Sequence, residues 1–345
     1  MTLIAEQASV SRIMFQVLAA LVPAIAVYVW YFGPVILVQI ALASVAALAS
    51  EALMLRLRRY PVEAFLRDGS ALVTAWLIAL SFPPLAPWWL TVTATVFAIV
   101  VAKHLYGGLG NNLFNPAMVG YAVAIISFPL QMTRWSAPTA LAAVPLGFAD
   151  QVGYVFGGGL PPGLGLDAVT LATPLDTLKT HLALGESAAQ IMKMPVFGVL
   201  GGRGGEVLAL AYILGGVWLW QQRVITWHVP VMFIATVGVL AAAFHAANPG
   251  QYAGAPLHLA SGATMIGAFF ILTDPVSSPS TPLGKLVYAG GAGLLTYVIR
   301  VWGGYPDGVA FATLLMNLSA PMIELHTQPR VYGQRASSKG GNEKP

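Results

Sequence analysis

The chain has 345 residues, of which 57% are hydrophobic and only 9% are charged, and its formal net charge is +4. Ordinary globular domains carry about 25% charged residues, so this composition excludes an ordinary soluble domain and predicts an integral membrane protein. The sequence contains no cysteine, which excludes disulfides, thiolate metal sites and iron–sulfur clusters held by the chain itself.

Apolar segments recur along most of the chain, and each is long enough to cross about 30 Å of hydrocarbon. In chain order they predict ten membrane-spanning helices, at residues 13–32, 35–54, 69–86, 88–104, 115–131, 206–222, 229–246, 258–274, 285–301 and 307–323. Helices are expected because lipid satisfies no exposed backbone amide. The first segment lacks the cleavage pattern of a signal peptide, so we expect it to remain as the first helix.

Positive charges predict the orientation of these helices. With the N-terminus in the cytoplasm, twelve of the seventeen Lys and Arg residues fall on the cytoplasmic side and five on the opposite side. Because Lys and Arg accumulate in cytoplasmic loops, both termini are predicted to be cytoplasmic. The polar stretch 326–345 is predicted to be a disordered cytoplasmic tail.

The two halves of the chain resemble each other. GSALVTAWLIALSFP (69–83) aligns with SGATMIGAFFILTDP (261–275), and YGG (106–108) aligns with WGG (302–304). Five spans per half reverse the direction of the second half in the membrane. We therefore predict an all-α integral membrane protein with about ten transmembrane helices in two inverted five-helix repeats, residues 1–131 and 206–325. Residues 132–205 form a long extracytoplasmic loop between them, and loops of this length are commonly functional.

Four motifs carry a resemblance to a known family. They are KHLYGGLGNNLFNPAMVGYA (103–122), TLATPLDTLKT (170–180), GGRGGE (201–206) and GATMIGAFFILTDPVSSP (262–279). In this order they resemble the D subunits of the Rnf complexes, the ion-translocating ferredoxin:NAD oxidoreductases. That family is related to the B subunits of the sodium-pumping NADH:quinone oxidoreductases.

The resemblance implies a site for covalent FMN. In that family a D-x-x-[ST]-x-A-T motif receives FMN through a phosphoester bond to its last threonine. The motif here consists of Asp167, Thr170, Ala172 and Thr173, followed by Pro174 and Asp176. Attachment needs an exposed hydroxyl on accessible backbone, with carboxylates nearby to bind the metal that accompanies the flavin donor. The similar stretch around Thr264 is expected inside a membrane helix, where small residues allow close packing, so Thr173 is the predicted attachment residue.

The resemblance also implies an activity and a set of partners. The expected protein is a translocase component in the bacterial inner membrane that passes electrons between ferredoxin and NAD, coupled to Na⁺ or H⁺ movement. Its expected partners in the Rnf complex are the A and E membrane subunits, the FMN-bearing G subunit and the B and C iron–sulfur subunits. Two alternatives are a B-type component of the quinone-reducing relatives and a flavin-free channel or transporter for small solutes.

Polar residues at two glycine-rich interruptions are further candidates. Asn111, Asn112 and Asn115 either form a structural break or line a second, noncovalent flavin site, for which the family implies riboflavin. Asp274 and Asp307 are candidates for an ion pathway, although an acid at a helix end more often simply faces water. We expect the interruptions at 107–115 and 303–308 to share one cavity near the membrane midplane. Glu51 is expected to pair with Arg56 or Arg58.

Overall fold

The computed structural model describes residues 2–329, which form sixteen α-helices and no extended sheet strand. The helices are α1 (Thr2–Phe32), α2 (Val35–Leu57), α3 (Val62–Leu66), α4 (Ser70–Ser81), α5 (Trp88–Phe97), α6 (Pro116–Ser127), α7 (Pro129–Met132), α8 (Phe148–Gly157), α9 (Pro174–Ala183), α10 (Ala188–Ile191), α11 (Gly205–Gln221), α12 (His228–Ala247), α13 (Ala255–Ala260), α14 (Thr264–Ile266), α15 (Pro282–Trp302) and α16 (Val309–Thr327). Most of the predicted tail, from residue 330 onward, lies outside the described residues.

Each of the ten predicted spans coincides with one helix or with two consecutive helices, so the all-α membrane fold is confirmed. Within the described part of the chain, four helices are long and apolar enough to cross a membrane on their own: Val10–Phe32, Val35–Leu57, His228–Ala247 and Val309–Thr327. The division into residues 1–131, 132–205, 206–325 and 326–345 stays a prediction.

Two predicted spans contain shorter helices than expected, because α4 ends at Ser81 just before Pro83 and the eighth span is interrupted at Gly262. Helix α4 has 12 residues, or about 18 Å of helix, and it begins after Gly69, whose φ is +79°. Helix α14 begins just after Gly262, whose φ is +65°. Such left-handed backbone is open to glycine at little cost and ends the preceding helix. A left-handed glycine thus precedes the corresponding helix in each half, one position apart in the alignment of 69–83 with 261–275.

Two helices continue as π-helix, a wide turn that often marks functional sites. Helix α5 continues as π-helix over Ala98–His104, and α14 continues as π-helix over Gly267–Ile271. The wider turn changes which side chains face the interior. Lys103 in the first π-helix is only 2% exposed, although a lysine at a helix end ordinarily extends into water.

The segment between the two halves is folded rather than a plain loop. It contains α8, α9 and α10, and a small apolar cluster around Leu178, Ile191 and Phe197 joins α9 and α10 to Leu257 of α13. This packing rests α9 on the end of the second half of the bundle. The sequence motif at residues 167–176 therefore has a defined position on the membrane helices.

Candidate functional site

The extended part of the motif is held by backbone pairing. Asp167 lies in a single turn of 3-10 helix. The Leu171 amide then donates to the Trp135 carbonyl at 2.9 Å, and Thr170 faces Ser136 in an antiparallel bridge. Backbone hydrogen bonds thus hold one side of the segment as far as Leu171.

The hydroxyl of Thr173 stands at the beginning of α9. Its Oγ1 accepts a hydrogen bond from the Asp176 amide at 3.3 Å, and Pro174 occupies the first turn of the helix. This combination begins a helix well, because the threonine oxygen satisfies a free amide and proline has no amide to satisfy. The side chain of Thr173 is only partly buried. Since Oγ1 acts as an acceptor, its own hydrogen remains available for replacement.

The two other hydroxyls in question are already engaged. Thr264 is fully buried, and its Oγ1 donates to the His258 carbonyl at 2.6 Å. Thr170 donates through Oγ1 to the Leu166 carbonyl at 3.0 Å. Thr173 is therefore the hydroxyl of this set that a modifying enzyme can reach at the least structural cost.

A tight turn at residues 197–202 supports the start of α9. The Glu206 carboxylate, in the first turn of α11, accepts the Leu200 amide at 2.9 Å and keeps the turn in shape. Gly202 lies directly against Pro174, so closely that a β-carbon at this position would collide with the proline ring. The turn therefore fixes the residue next to Thr173 from the other side.

Thr173 lines a cavity of ≈ 200 Å³ that reaches between the membrane helices. We call it the outer cavity because it borders the segment 132–205, which is predicted to be extracytoplasmic. Three tyrosines from three different helices contribute to its wall, namely Tyr28, Tyr121 and Tyr212. Arg203 also lines this cavity, and it supplies a cationic side chain close to the start of α9. The outer cavity thus combines an esterifiable hydroxyl, a cation and an aromatic interior.

Asp307 lies in the wall of the same outer cavity, within a buried ion pair. Its Oδ1 accepts two hydrogen bonds from the Arg300 guanidinium, at 3.1 and 3.0 Å, and its Oδ2 accepts the Ala263 amide at 2.6 Å. Arg300 also donates to the His258 carbonyl at 2.7 Å. The carboxylate therefore satisfies an amide at the start of α14 and neutralises Arg300, which is 4% exposed.

A second, inner cavity of ≈ 180 Å³ contains several of the other predicted residues. Asn112, Asn115 and Asp274 line it, whereas Asn111 is exposed and is not part of its wall. Asp307 belongs to the outer cavity instead. The expectation of one shared cavity is therefore wrong.

The two cavities are separated by packed structure. The Asn115 side chain, in the inner cavity, donates to the carbonyl of Ile271, a residue that lines the outer cavity, at 3.3 Å. The interruptions at 107–115 and 303–308 line different cavities, and this contact lies between them. The structure therefore has two chambers, one beside the start of α4 and one beside the start of α14.

The polar atoms of Asn115 have structural partners. Its Oδ1 accepts a hydrogen bond from the Met118 backbone amide at 3.2 Å and caps α6. The backbone amide of Asn115 donates to Asn317 Oδ1 at 2.9 Å. Asn112 Nδ2 donates to the Phe114 carbonyl at 3.1 Å. The structural interpretation of these asparagines is therefore sound, and lining the inner cavity is an additional property.

Asp274 keeps the segment after α14 folded. Its Oδ1 accepts the Val276 amide at 3.1 Å and its Oδ2 accepts the Ser277 hydroxyl at 2.9 Å. These bonds form a local turn in front of the inner cavity. The carboxylate is partly buried.

A buried ion cluster that the sequence did not reveal lies beside the inner cavity. Lys103 Nζ donates to both oxygens of Glu51 at 2.8 Å and to Ser70 Oγ at 2.8 Å, and His104 Nε2 is 3.3 Å from the same carboxylate. The expected pairing of Glu51 with an arginine is therefore wrong. Arg58 instead donates to the Gly107 carbonyl at 2.9 Å and steadies the glycine-rich interruption. The signal in the sequence was a lysine inside the apolar span 88–104.

These features define a class: an all-helical membrane protein with two chambers among its helices and a reachable threonine at the edge of one chamber. A model described as the NQR2, RnfD, RnfE family matches residues 1–333, and the chain belongs to this family. Two similar proteins are named as D subunits of ion-translocating oxidoreductase complexes. The one from Shigella dysenteriae serotype 1 is 52% identical and the one from Escherichia coli K12 is 51% identical, and each alignment covers 96% of both chains.

Proposed function

We propose that this protein is the D subunit of an ion-translocating ferredoxin:NAD oxidoreductase and that it carries FMN as an ester on Thr173. The observation that carries the proposal is the position of the Thr173 hydroxyl, which caps α9 and lines a chamber walled by tyrosines. The names of the similar proteins support this assignment over the B subunit of the quinone-reducing enzymes. A flavin-free channel would have no use for this motif.

The residues around Thr173 fit the two ends of FMN. Attachment replaces the O–H bond of Thr173 by an O–P bond, while the proton and the other half of a phosphoanhydride donor leave. The resulting anionic diester would stand at the beginning of α9, where free amides and the helix dipole favour negative charge. Arg203, in the same chamber, adds a cation.

The ring end of the flavin fits the interior of the outer cavity. Tyr28, Tyr121 and Tyr212 offer flat surfaces for an aromatic ring, and the apolar surroundings exclude water. When bound, the flavin supplies the redox chemistry, and the protein supplies placement and electrostatics. Electrons would enter and leave the chain through this group.

We place a second, noncovalent flavin in the inner cavity, and the family resemblance favours riboflavin. One flavin at the outer side would leave about 30 Å of hydrocarbon to the inner side, which is too far for a single electron transfer at a useful rate. Asn112 and Asn115 supply neutral amide groups beside the cavity, and Lys103 lies in its wall. Acid extraction of the purified complex should release noncovalent flavin into solution, while the covalent flavin stays on the precipitated protein. Release of no free flavin would remove this part of the proposal.

Asp274 and Asp307 are proposed to contribute to ion movement, each beside one cavity. Both carboxylates are paired, so each would need a change of partners to receive an ion. The partners of this chain in electron and ion transfer would be the A and E membrane subunits, the FMN-bearing G subunit and the B and C iron–sulfur subunits. The proposed location is the bacterial inner membrane.

Mass spectrometry of the purified chain tests the covalent flavin. A chymotryptic peptide that contains Thr173 should carry the added mass of FMN, and in-gel fluorescence should show flavin on the intact chain. A peptide of unmodified mass from the assembled complex would contradict the proposal.

We predict that Gly202→Ala lowers the fraction of chains that carry covalent flavin. A β-carbon at Gly202 would collide with Pro174, and forcing a methyl group into filled space costs about 1–3 kcal/mol. The strain is most easily relieved by shifting the start of α9 together with Thr173. Gly159→Ala is the matched control, because a β-carbon there meets no atom within 4 Å. Equal flavin content in both variants would show that the contact has no influence on attachment.

We predict that the flavin-bearing segment faces the outside of the cell membrane. The chain has no cysteine, so single cysteines can be read without background. Leu184→Cys lies just after α9 and Gln222→Cys just after α11, and both native side chains are exposed. A membrane-impermeant maleimide should label the first from outside and the second only after lysis. The reverse pattern would place Thr173 in the cytoplasm.

A further inference from the structure

Lys179 reaches from α9 to the end of a membrane helix. Its Nζ lies within hydrogen-bond distance of four backbone carbonyl oxygens, those of Tyr305 at 3.0 Å, Arg300 at 3.2 Å, Ile299 at 3.4 Å and Gly303, which share its three N–H groups. All four carbonyls belong to the last turn of α15 and the interruption that follows it. A single ammonium group thus lies in a cage of backbone oxygens.

This arrangement satisfies a need of α15. The last carbonyls of a helix have no amide partner within the helix, and the helix dipole gives this end a partial negative charge. A lysine provides both donors and positive charge, and it usually does so from the same helix. Here the donor comes from a segment more than one hundred residues earlier in the chain. The contact therefore links two parts of the fold in addition to capping α15.

Two opposing effects act on the pKa of Lys179. Burial lowers the pKa of the Lys179 ammonium, and the nearby Asp176 carboxylate acts in the opposite direction. Burial likewise raises the pKa of Asp176, which Lys179 opposes. The two side chains stand on one face of α9, and each favours the charged form of the other.

The same helix begins at the flavin threonine. Lys179 follows Thr173 by six residues, which corresponds to about 9 Å along the helix axis. Leu175 packs against Gly262 at the start of α14, and Pro174 packs against Gly202. Helix α9 is therefore held at its beginning by packing and farther along by the Lys179 cage.

We propose that Lys179 is a positioning residue that fixes α9 on α15 and thereby keeps the ring of the Thr173-linked flavin seated in the outer cavity. The carbonyls that surround Lys179 Nζ end at Tyr305, two residues before Asp307, which lines that cavity. The anchor and the cavity wall therefore belong to one stretch of chain. Releasing the anchor would leave the ester intact but would let α9 and its flavin move. This inference rests on the proposed covalent flavin.

Lys179→Met tests the proposal in the full complex, with Lys193→Met as the matched control. Lys193 is the other lysine of the extramembrane segment, and its side chain is exposed. We expect Lys179→Met to retain covalent flavin by mass, while flavin fluorescence per chain rises and its anisotropy falls as the ring leaves the tyrosines. Electron entry into the covalent flavin should slow by about tenfold or more, because small misplacements of reacting groups have large effects on rate. Lys179→Arg, which keeps the charge and the donors, should restore part of the rate.

Wild-type fluorescence, anisotropy and rate in Lys179→Met would overturn the proposal. Loss of flavin attachment in a folded Lys179→Met chain would overturn it as well, because Lys179 would then act on the attachment step. Hydrogen exchange of residues 174–184, measured in a flavin-free Thr173→Asn background, reports the anchor alone. Faster exchange with Lys179→Met supports the anchor, and unchanged exchange refutes it even if the variant complex is unstable. An unmodified Thr173 in the wild type would refute the proposed function, whatever the exchange shows.

Discussion

Thr173→Asn is expected to remove covalent flavin from the chain completely and to leave the membrane fold intact. Asparagine is as good an N-cap as serine, so α9 keeps a side-chain oxygen for the Asp176 amide. It offers no hydroxyl for an ester. The loss is therefore chemical, whereas Thr173→Ala would also remove the cap and destabilise the start of α9 by about 0.5–2 kcal/mol.

Three measurements make this result decisive. In-gel flavin fluorescence and peptide mass give the covalent flavin, and thermal unfolding in detergent gives the stability of the chain. Thr173→Ser keeps a hydroxyl and the cap, and should retain at least part of the flavin. Fluorescence that survives in Thr173→Asn but disappears in Thr264→Ala would move the ester to the other threonine, against the burial of that side chain.

Lys103→Met is expected to destabilise the protein by about 3–5 kcal/mol, since it leaves the Glu51 carboxylate buried without its partner. Both side chains are 2% exposed, and Lys103 gives Glu51 two hydrogen bonds of 2.8 Å. Ser70 would lose a donor as well. The double variant Lys103→Met with Glu51→Gln removes both charges and should recover most of the loss.

The exposed pair of Arg67 and Glu63 provides the control for this experiment. Its side chains are 79% and 77% exposed, so Arg67→Met should change stability by no more than about 1 kcal/mol. Unfolding midpoints of the three variants in one detergent give the comparison. If the single and double variants at the buried site are equally unstable, then packing rather than charge explains the effect. If Lys103→Met alone is as stable as the wild type, then Glu51 is already neutral.

The sequence was sufficient for the class of fold, whereas flavin attachment at residues 167–176 stays a prediction. Ten apolar segments, a low fraction of charged residues and the internal similarity depend on local composition, and each segment must satisfy its own backbone in lipid. The start of α9 was not predicted, although Thr173 and Pro174 form a local pattern that begins a helix well. These features involve residues that are neighbours in the chain.

Other interpretations required contacts between distant residues. The sequence suggested an arginine partner for Glu51, but the π-helix after α5 directs Lys103 and His104 toward it. Likewise, the interruptions at 107–115 and 303–308 looked equivalent, yet they open into separate cavities. Helical register over a whole bundle decides such pairings, and one altered turn changes which side chains face inward.

By itself, the sequence determined that this is a helical membrane protein, because hydropathy is a property of contiguous residues, and covalent flavin at its short motif is our proposal. Only the tertiary structure decided that Thr173 borders a tyrosine-lined chamber, that Lys103 neutralises Glu51, and that Lys179 caps α15 from another segment. The Lys103 and Lys179 contacts join residues more than fifty positions apart. No local pattern encodes such contacts, since they arise when whole helices pack and their buried polar groups must find partners.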